Sequence, residues 1–79
     1  MNVVSAHAFS SNHRDQLASS EVCRCFYCLE SYSATEIAEW TDDATTALCP
    51  KCGVDAVVGS ASGVPLDTAF FQQMHEHWF

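Results

Sequence analysis

A chain of 79 residues has room for one domain, and at this length the core is thin enough that a metal, disulfides or a partner usually reinforces it. An apolar content of 48% excludes a wholly disordered chain, and no run approaches the roughly 20 apolar residues a membrane helix needs. Three Lys plus Arg against ten Asp plus Glu leave a net charge of −7, which four thiolates on a divalent ion would take to −9. Phosphate backbones and anionic lipid heads repel such a surface, so the balance points to a basic protein partner or to plain solubility.

Residues 1–21 are rich in Ser, Ala, Asn and His and show no hydrophobic period. The expectation is a loosely structured N-terminal segment, with a short strand or turn near Val3-Val4, ahead of a metal-binding domain at residues 22–79. Met1 to Ser11 has neither a basic start nor a long apolar core, which predicts no secretory signal and a cytoplasmic protein. In a reducing compartment paired cysteines hold metal more often than they form disulfides. His7 and His13 fall in this segment and suggest no site.

From Val22 to Leu29 the chain is β-branched, aromatic and Cys-rich, which predicts a strand running into a metal knuckle. Ser33-Ala34-Thr35-Glu36 is a capping box, so a short helix should follow through Ile37 and Trp40. Thr41-Asp42-Asp43 reads as a turn. Thr45–Leu48 and Val54–Val58 are compatible with strands entering and leaving the second cysteine pair as a hairpin. After the Gly59–Gly63 loop, Pro65 and Asp67 introduce a final helix with Asp67 as N-cap. Its apolar stripe is Leu66, Phe70, Met74 and His77/Trp78, with Phe71 and Phe79 alongside.

Cys25-Phe-Tyr-Cys28 and Cys49-Pro-Lys-Cys52 are separated by 20 residues, at the upper edge of a familiar zinc-binding spacing. A two-residue spacer lets the chain turn back so that both sulfurs of a pair address one ion, and two such turns complete a tetrahedron. Gly53 supplies the positive φ that the second turn asks for, and Pro50 pre-sets one of its dihedrals. The first turn has Leu29 where the second has Gly53. Cys23 leaves the pairings 23/25, 23/28 and 25/28 open, of which only 25/28 repeats the spacing of 49/52. On a strand Cys23 and Cys25 share a face, which makes Cys23 a small buried hydrophobe beside the site.

Cys49-Pro-Lys-Cys52-Gly53 after an earlier C-x-x-C resembles the zinc-ribbon superfamily. The run through Ile37-Ala-Glu-Trp40 and the ending Met74-His-Glu-His-Trp78-Phe79 resemble small uncharacterised bacterial cytoplasmic proteins of zinc-ribbon type. The likeness covers residues 23–79 and implies a fold and a metal without an activity. Taken together, the expectation is an α+β, zinc-ribbon-like mini-domain. It has two knuckles, a short antiparallel sheet, one inserted helix and a C-terminal helix, with one structural Zn2+ on Cys25, Cys28, Cys49 and Cys52.

Four thiolates leave no open coordination position, so no enzyme activity is expected, and the favoured role is a module that binds another protein, as a small regulator or inhibitor. The same ligands suit a rubredoxin-like Fe(Cys)4 electron-transfer centre. Nucleic-acid binding is disfavoured because Arg14, Arg24 and Lys51 are the only cations for phosphate, although an acidic protein can also imitate nucleic acid. His75 and His77 sit about 200° apart on a helix and cannot share a ligand face.

Overall fold

Cys23-Arg24-Cys25 forms the central strand β1 of an antiparallel sheet in the computed structural model, which describes residues 1–79. Its two cysteines are fully buried on one side, while Arg24 is half-buried on the other, as strand alternation requires. Strand β2 (Ser31–Tyr32) pairs with one edge of β1, in the register Cys23 to Tyr32. The strand entering from the far end of the chain, β5 (Val57–Gly59), pairs with the other edge, Cys23 facing Gly59 and Cys25 facing Val57. A separate ribbon joins β3 (Trp40–Thr41) to β4 (Thr46–Ala47). The α+β mini-domain with its short antiparallel sheets and C-terminal helix is therefore as expected, but its pairing differs. The strands around the second cysteine pair do not form a hairpin with each other: β4 pairs with β3, and β5 crosses to β1.

The inserted helix is also shorter than the capping box suggests. Both reciprocal bonds of the box are present, yet only the 3-10 turn Ala34–Glu36 forms, and Ile37 is already extended. The Leu48 amide donates to the Glu39 carbonyl, so the residues meant to continue the helix are recruited to the edge of β4. Tertiary pairing outweighs a local start signal worth about 1 kcal/mol. The turn between β3 and β4 holds Asp42, Asp43 and Ala44 all at positive φ.

Residues 1–21 carry short helical elements, and Val3-Val4 lies in one of them rather than in a strand. They form α1 (Val3–Ala6), a 3-10 turn (His7–Ser10) and α2 (Arg14–Ala18), and they place Ala6 and Leu17 in the core. Helices of four and five residues are too short to display a 3.6-residue period, so their order comes from tertiary bonds that the sequence does not display. The amides of His13 and Arg14 both donate to the Thr45 carbonyl, which serves as a borrowed cap for α2. The Asn12 amide donates to Thr46 Oγ1, and Arg14 Nη1 donates to the Ala44 carbonyl.

Helix α3 (Thr68–Trp78) starts as foreseen, with the Asp67 carboxylate accepting from the Phe70 amide. Its buried side is Phe71 and Met74, three residues apart, while Phe70 is only half-buried. Trp78 reaches back to donate its indole N–H to the Val3 carbonyl, which fastens the two ends of the chain together.

Gly59 is where β5 and α2 meet most closely. A Cβ there would overlap Ser20 Oγ and come within 2.8 Å of Leu17 Cδ2. Ser20 cannot easily yield, because its hydroxyl donates to the Gln16 carbonyl and accepts from the Ala61 amide. Gly59→Ala should therefore destabilise the metal-loaded protein by about 1–3 kcal/mol, read as a lower urea midpoint at unchanged metal content. An unaltered midpoint would mean that α2 is not seated against β5.

Candidate metal centre

The two C-x-x-C segments fold into the same turn, offset by 24 positions. The Cys25 amide donates to the Glu30 carbonyl (3.1 Å) and the Cys49 amide to the Val54 carbonyl (3.0 Å). The Leu29 amide closes on the Cys25 carbonyl (2.9 Å) and the Gly53 amide on the Cys49 carbonyl (2.8 Å). Within each turn one amide points at sulfur, Tyr27 N–H to Cys25 Sγ (3.3 Å) and Lys51 N–H to Cys49 Sγ (3.4 Å).

The missing glycine of the first turn proves to be no obstacle: Leu29 itself takes φ 68°, beside 80° at Gly53. A left-handed non-glycine residue costs about 1–2 kcal/mol, which the rest of the turn must offset. Several anchors hold it. The Phe26 amide donates to the Ala56 carbonyl, the Arg24 Nε donates to the Leu29 carbonyl, and His75 Nδ1 donates to the Phe26 carbonyl from α3. Phe26 itself is fully buried.

The turns bring the four sulfurs of Cys25, Cys28, Cys49 and Cys52 within 4.8 Å of one another. The contacts that cross between the turns, Cys25 to Cys52 and Cys28 to Cys49, are each 3.7 Å. With zinc–sulfur bonds of about 2.3 Å a regular tetrahedron has edges of about 3.8 Å, a length these two contacts match. All five cysteines are free thiols, so no disulfide contributes. A cluster of this donor set and size can hold a metal ion such as zinc or iron.

The surroundings are electrostatically uneven. Burial pushes the Cys25 and Cys28 thiols up. Burial also pushes on Cys49, but the Tyr32 hydroxyl, the Lys51 and Cys52 amides and the Cys52 thiol outweigh it and bring that thiol down to about 7. A cation among the four sulfurs would favour the thiolate form of every one of them. Cys23 is fully buried outside the cluster, and burial lifts its thiol to about 11, in keeping with a small hydrophobe.

Two features near the centre escape sequence reasoning. Tyr32, buried opposite Cys23, carries its hydroxyl toward the sulfurs. His13 donates from Nδ1 to the Phe9 carbonyl (2.8 Å) and accepts at Nε2 from the Ala47 amide (3.0 Å), two residues before Cys49. Neither has a signature in the sequence, because both act through contacts between elements. His75 and His77 do not join a metal group, and no helix is long and apolar enough to cross a membrane.

No protein-family model, no curated protein and no solved structure gives a significant match to this chain.

Proposed function

We propose that the chain is a non-enzymatic module in which one zinc ion on Cys25, Cys28, Cys49 and Cys52 holds the fold, and in which the surface beside the first knuckle binds a basic protein. The observation that carries this reading is the gathering of four thiols within 4.8 Å of one another, with the contacts between Cys25 and Cys52 and between Cys28 and Cys49 both at 3.7 Å. An ion so held has no position for water or substrate, which favours structure over catalysis.

The supporting surface is aromatic. Tyr27, inside the first C-x-x-C turn, is 43% exposed and meets the Phe79 ring edge-on at 4.8 Å. Phe79 is 57% exposed, and Trp78 stacks beside His7 at 4.1 Å. Exposed aromatics on a metal-stiffened turn bind at low entropic cost, and the net charge of −7 supplies attraction for a basic partner. The three basic side chains are otherwise occupied. Arg14 lies over the Trp40 ring, Arg24 bonds the Leu29 and Leu66 carbonyls, and Lys51 pairs with Glu36. Nucleic-acid binding therefore has no support from charge.

The test is capture from lysate at low and high salt, with wild type and a zinc-loaded Tyr27→Ser/Phe79→Ser variant. A basic protein retained by wild type, shed by the variant and released by salt is the expected result. Retention by both, or nothing retained by either, overturns the docking role. Elemental content per chain separates zinc from iron, and a red ferric–thiolate colour would replace the structural reading with electron transfer.

A further inference from the structure

The sulfurs at the centre carry charge that hydrogen-bond donors around them must answer. A divalent ion with four thiolates has a net charge of −2, and a charge half-withdrawn from water needs hydrogen-bond donors around it. Backbone amides of the turns supply part of them, among them Tyr27 N–H to Cys25 and Lys51 N–H to Cys49. Tyr32 adds a side-chain candidate. Register puts it across from Cys23, on the face of β1 that also carries Cys25. The residue is 5% exposed, and its hydroxyl is the one buried side-chain polar atom with no hydrogen-bond partner. Such an orphan costs about 1–3 kcal/mol if it stays unpaired. The position equivalent to Tyr32 after the second knuckle, by the 24-residue offset, is Ala56, which has nothing to donate.

Resting on the reading of the four cysteines as a metal centre, we propose that Tyr32 is a positioning residue of that centre, its hydroxyl donating to Cys49 Sγ across the gap between the two knuckles. The hydroxyl does not meet ordinary hydrogen-bond geometry with any acceptor, and the groups around it are Cys49, Cys25 and Cys28 of the cluster. The contact is therefore long or poorly angled, and a thiolate bearing full charge is the acceptor that would tighten it. A metal-bound thiolate has no proton to give, so the phenol hydroxyl is the donor of the pair. The bond ties β2 to the opposite knuckle and spreads the charge of one ligand.

The experiment replaces zinc with cobalt(II), whose thiolate charge-transfer and ligand-field bands report the sulfurs, in wild type, Tyr32→Phe and Tyr27→Phe. Phenylalanine keeps the packed ring and removes only the oxygen. Tyr32→Phe should bind cobalt about 10–100-fold more weakly in chelator competition and shift its charge-transfer band to longer wavelength, while Tyr27→Phe matches wild type. A purely packing role for the ring moves neither readout. Should Tyr32→Phe load poorly, cadmium-113 in wild type gives an independent view, as a slowly exchanging hydroxyl proton coupled to the metal. Wild type lacking a four-thiolate cobalt spectrum overturns the metal centre itself. Wild type with that spectrum, alongside an unshifted band and unchanged affinity in Tyr32→Phe, overturns the role of Tyr32 alone.

Discussion

Stripped of metal by a strong chelator under reducing conditions, the protein should lose its far-UV signal and its cooperative unfolding, and recover both on addition of one equivalent of zinc. The reason is where the cysteines sit. Cys25 and Cys49 are members of the buried core, Cys28 and Cys52 pack against it, and β1, which carries Cys25, is the strand that joins β2 to β5. The remaining regular elements are strands of two or three residues and helices of four, five and eleven, none of which is stable alone. A structural zinc contributes about 10–16 kcal/mol in model peptides, comparable to or larger than the whole stability of a typical domain at about 5–15 kcal/mol. Cys49→Ser should therefore reproduce the effect of the chelator, whereas Cys23→Ala should keep full metal content and lose only about 1–2 kcal/mol. A far-UV spectrum unchanged after complete metal removal would defeat the assignment of the fold to the metal.

Which parts of this arrangement are legible in the chain follows from the range of the interactions. The cysteine pairs are legible because a knuckle is a local object: Cys49-Pro-Lys-Cys52-Gly53 contains the sulfurs, the turn and the positive φ within five residues. Asp67 is legible as a cap for the same reason. Leu29 is misleading, since a residue that disfavours the left-handed region is held there by bonds to its turn from Ala56, Arg24 and α3, which lie outside that turn. The capping box is a correct local signal with a wrong consequence, because the edge of β4 claims residues 39–41 for pairing. Strand partners are the least legible of all. Val57–Gly59 fits the edge of β1 as well as it fits a hairpin, and only the finished fold, with Gly59 under α2, selects between them.

His13 controls the second large effect expected of this protein. Its two partners dictate its chemistry. The Phe9 carbonyl can only accept, so Nδ1 carries the proton, and the Ala47 amide can only donate, so Nε2 must offer its lone pair. The ring is therefore neutral in the folded chain, and burial, opposed by the Phe9 bond, lowers its pKa below the ordinary 6.5. His13→Ala removes the partner of two main-chain groups in a residue only 3% exposed, which should cost about 2–5 kcal/mol. The sign of the pH effect follows from proton counting. Below 6.5 the unfolded chain takes up a proton at His13 that the folded chain refuses, so the unfolded state binds more protons and stability drops as the pH is lowered. The contribution is fully present above 6.5 and is lost progressively as pH falls toward the folded pKa. Urea midpoints of zinc-loaded wild type and His13→Ala, compared between about pH 7.5 and pH 5.5, should converge on acidification. Acid release of metal affects both proteins, so the difference between them isolates the ring. Parallel pH profiles would show that His13 does not hold the Ala47 amide in solution. Convergence would show that a histidine 34 residues away in sequence latches the N-terminal helices onto the strand that delivers Cys49.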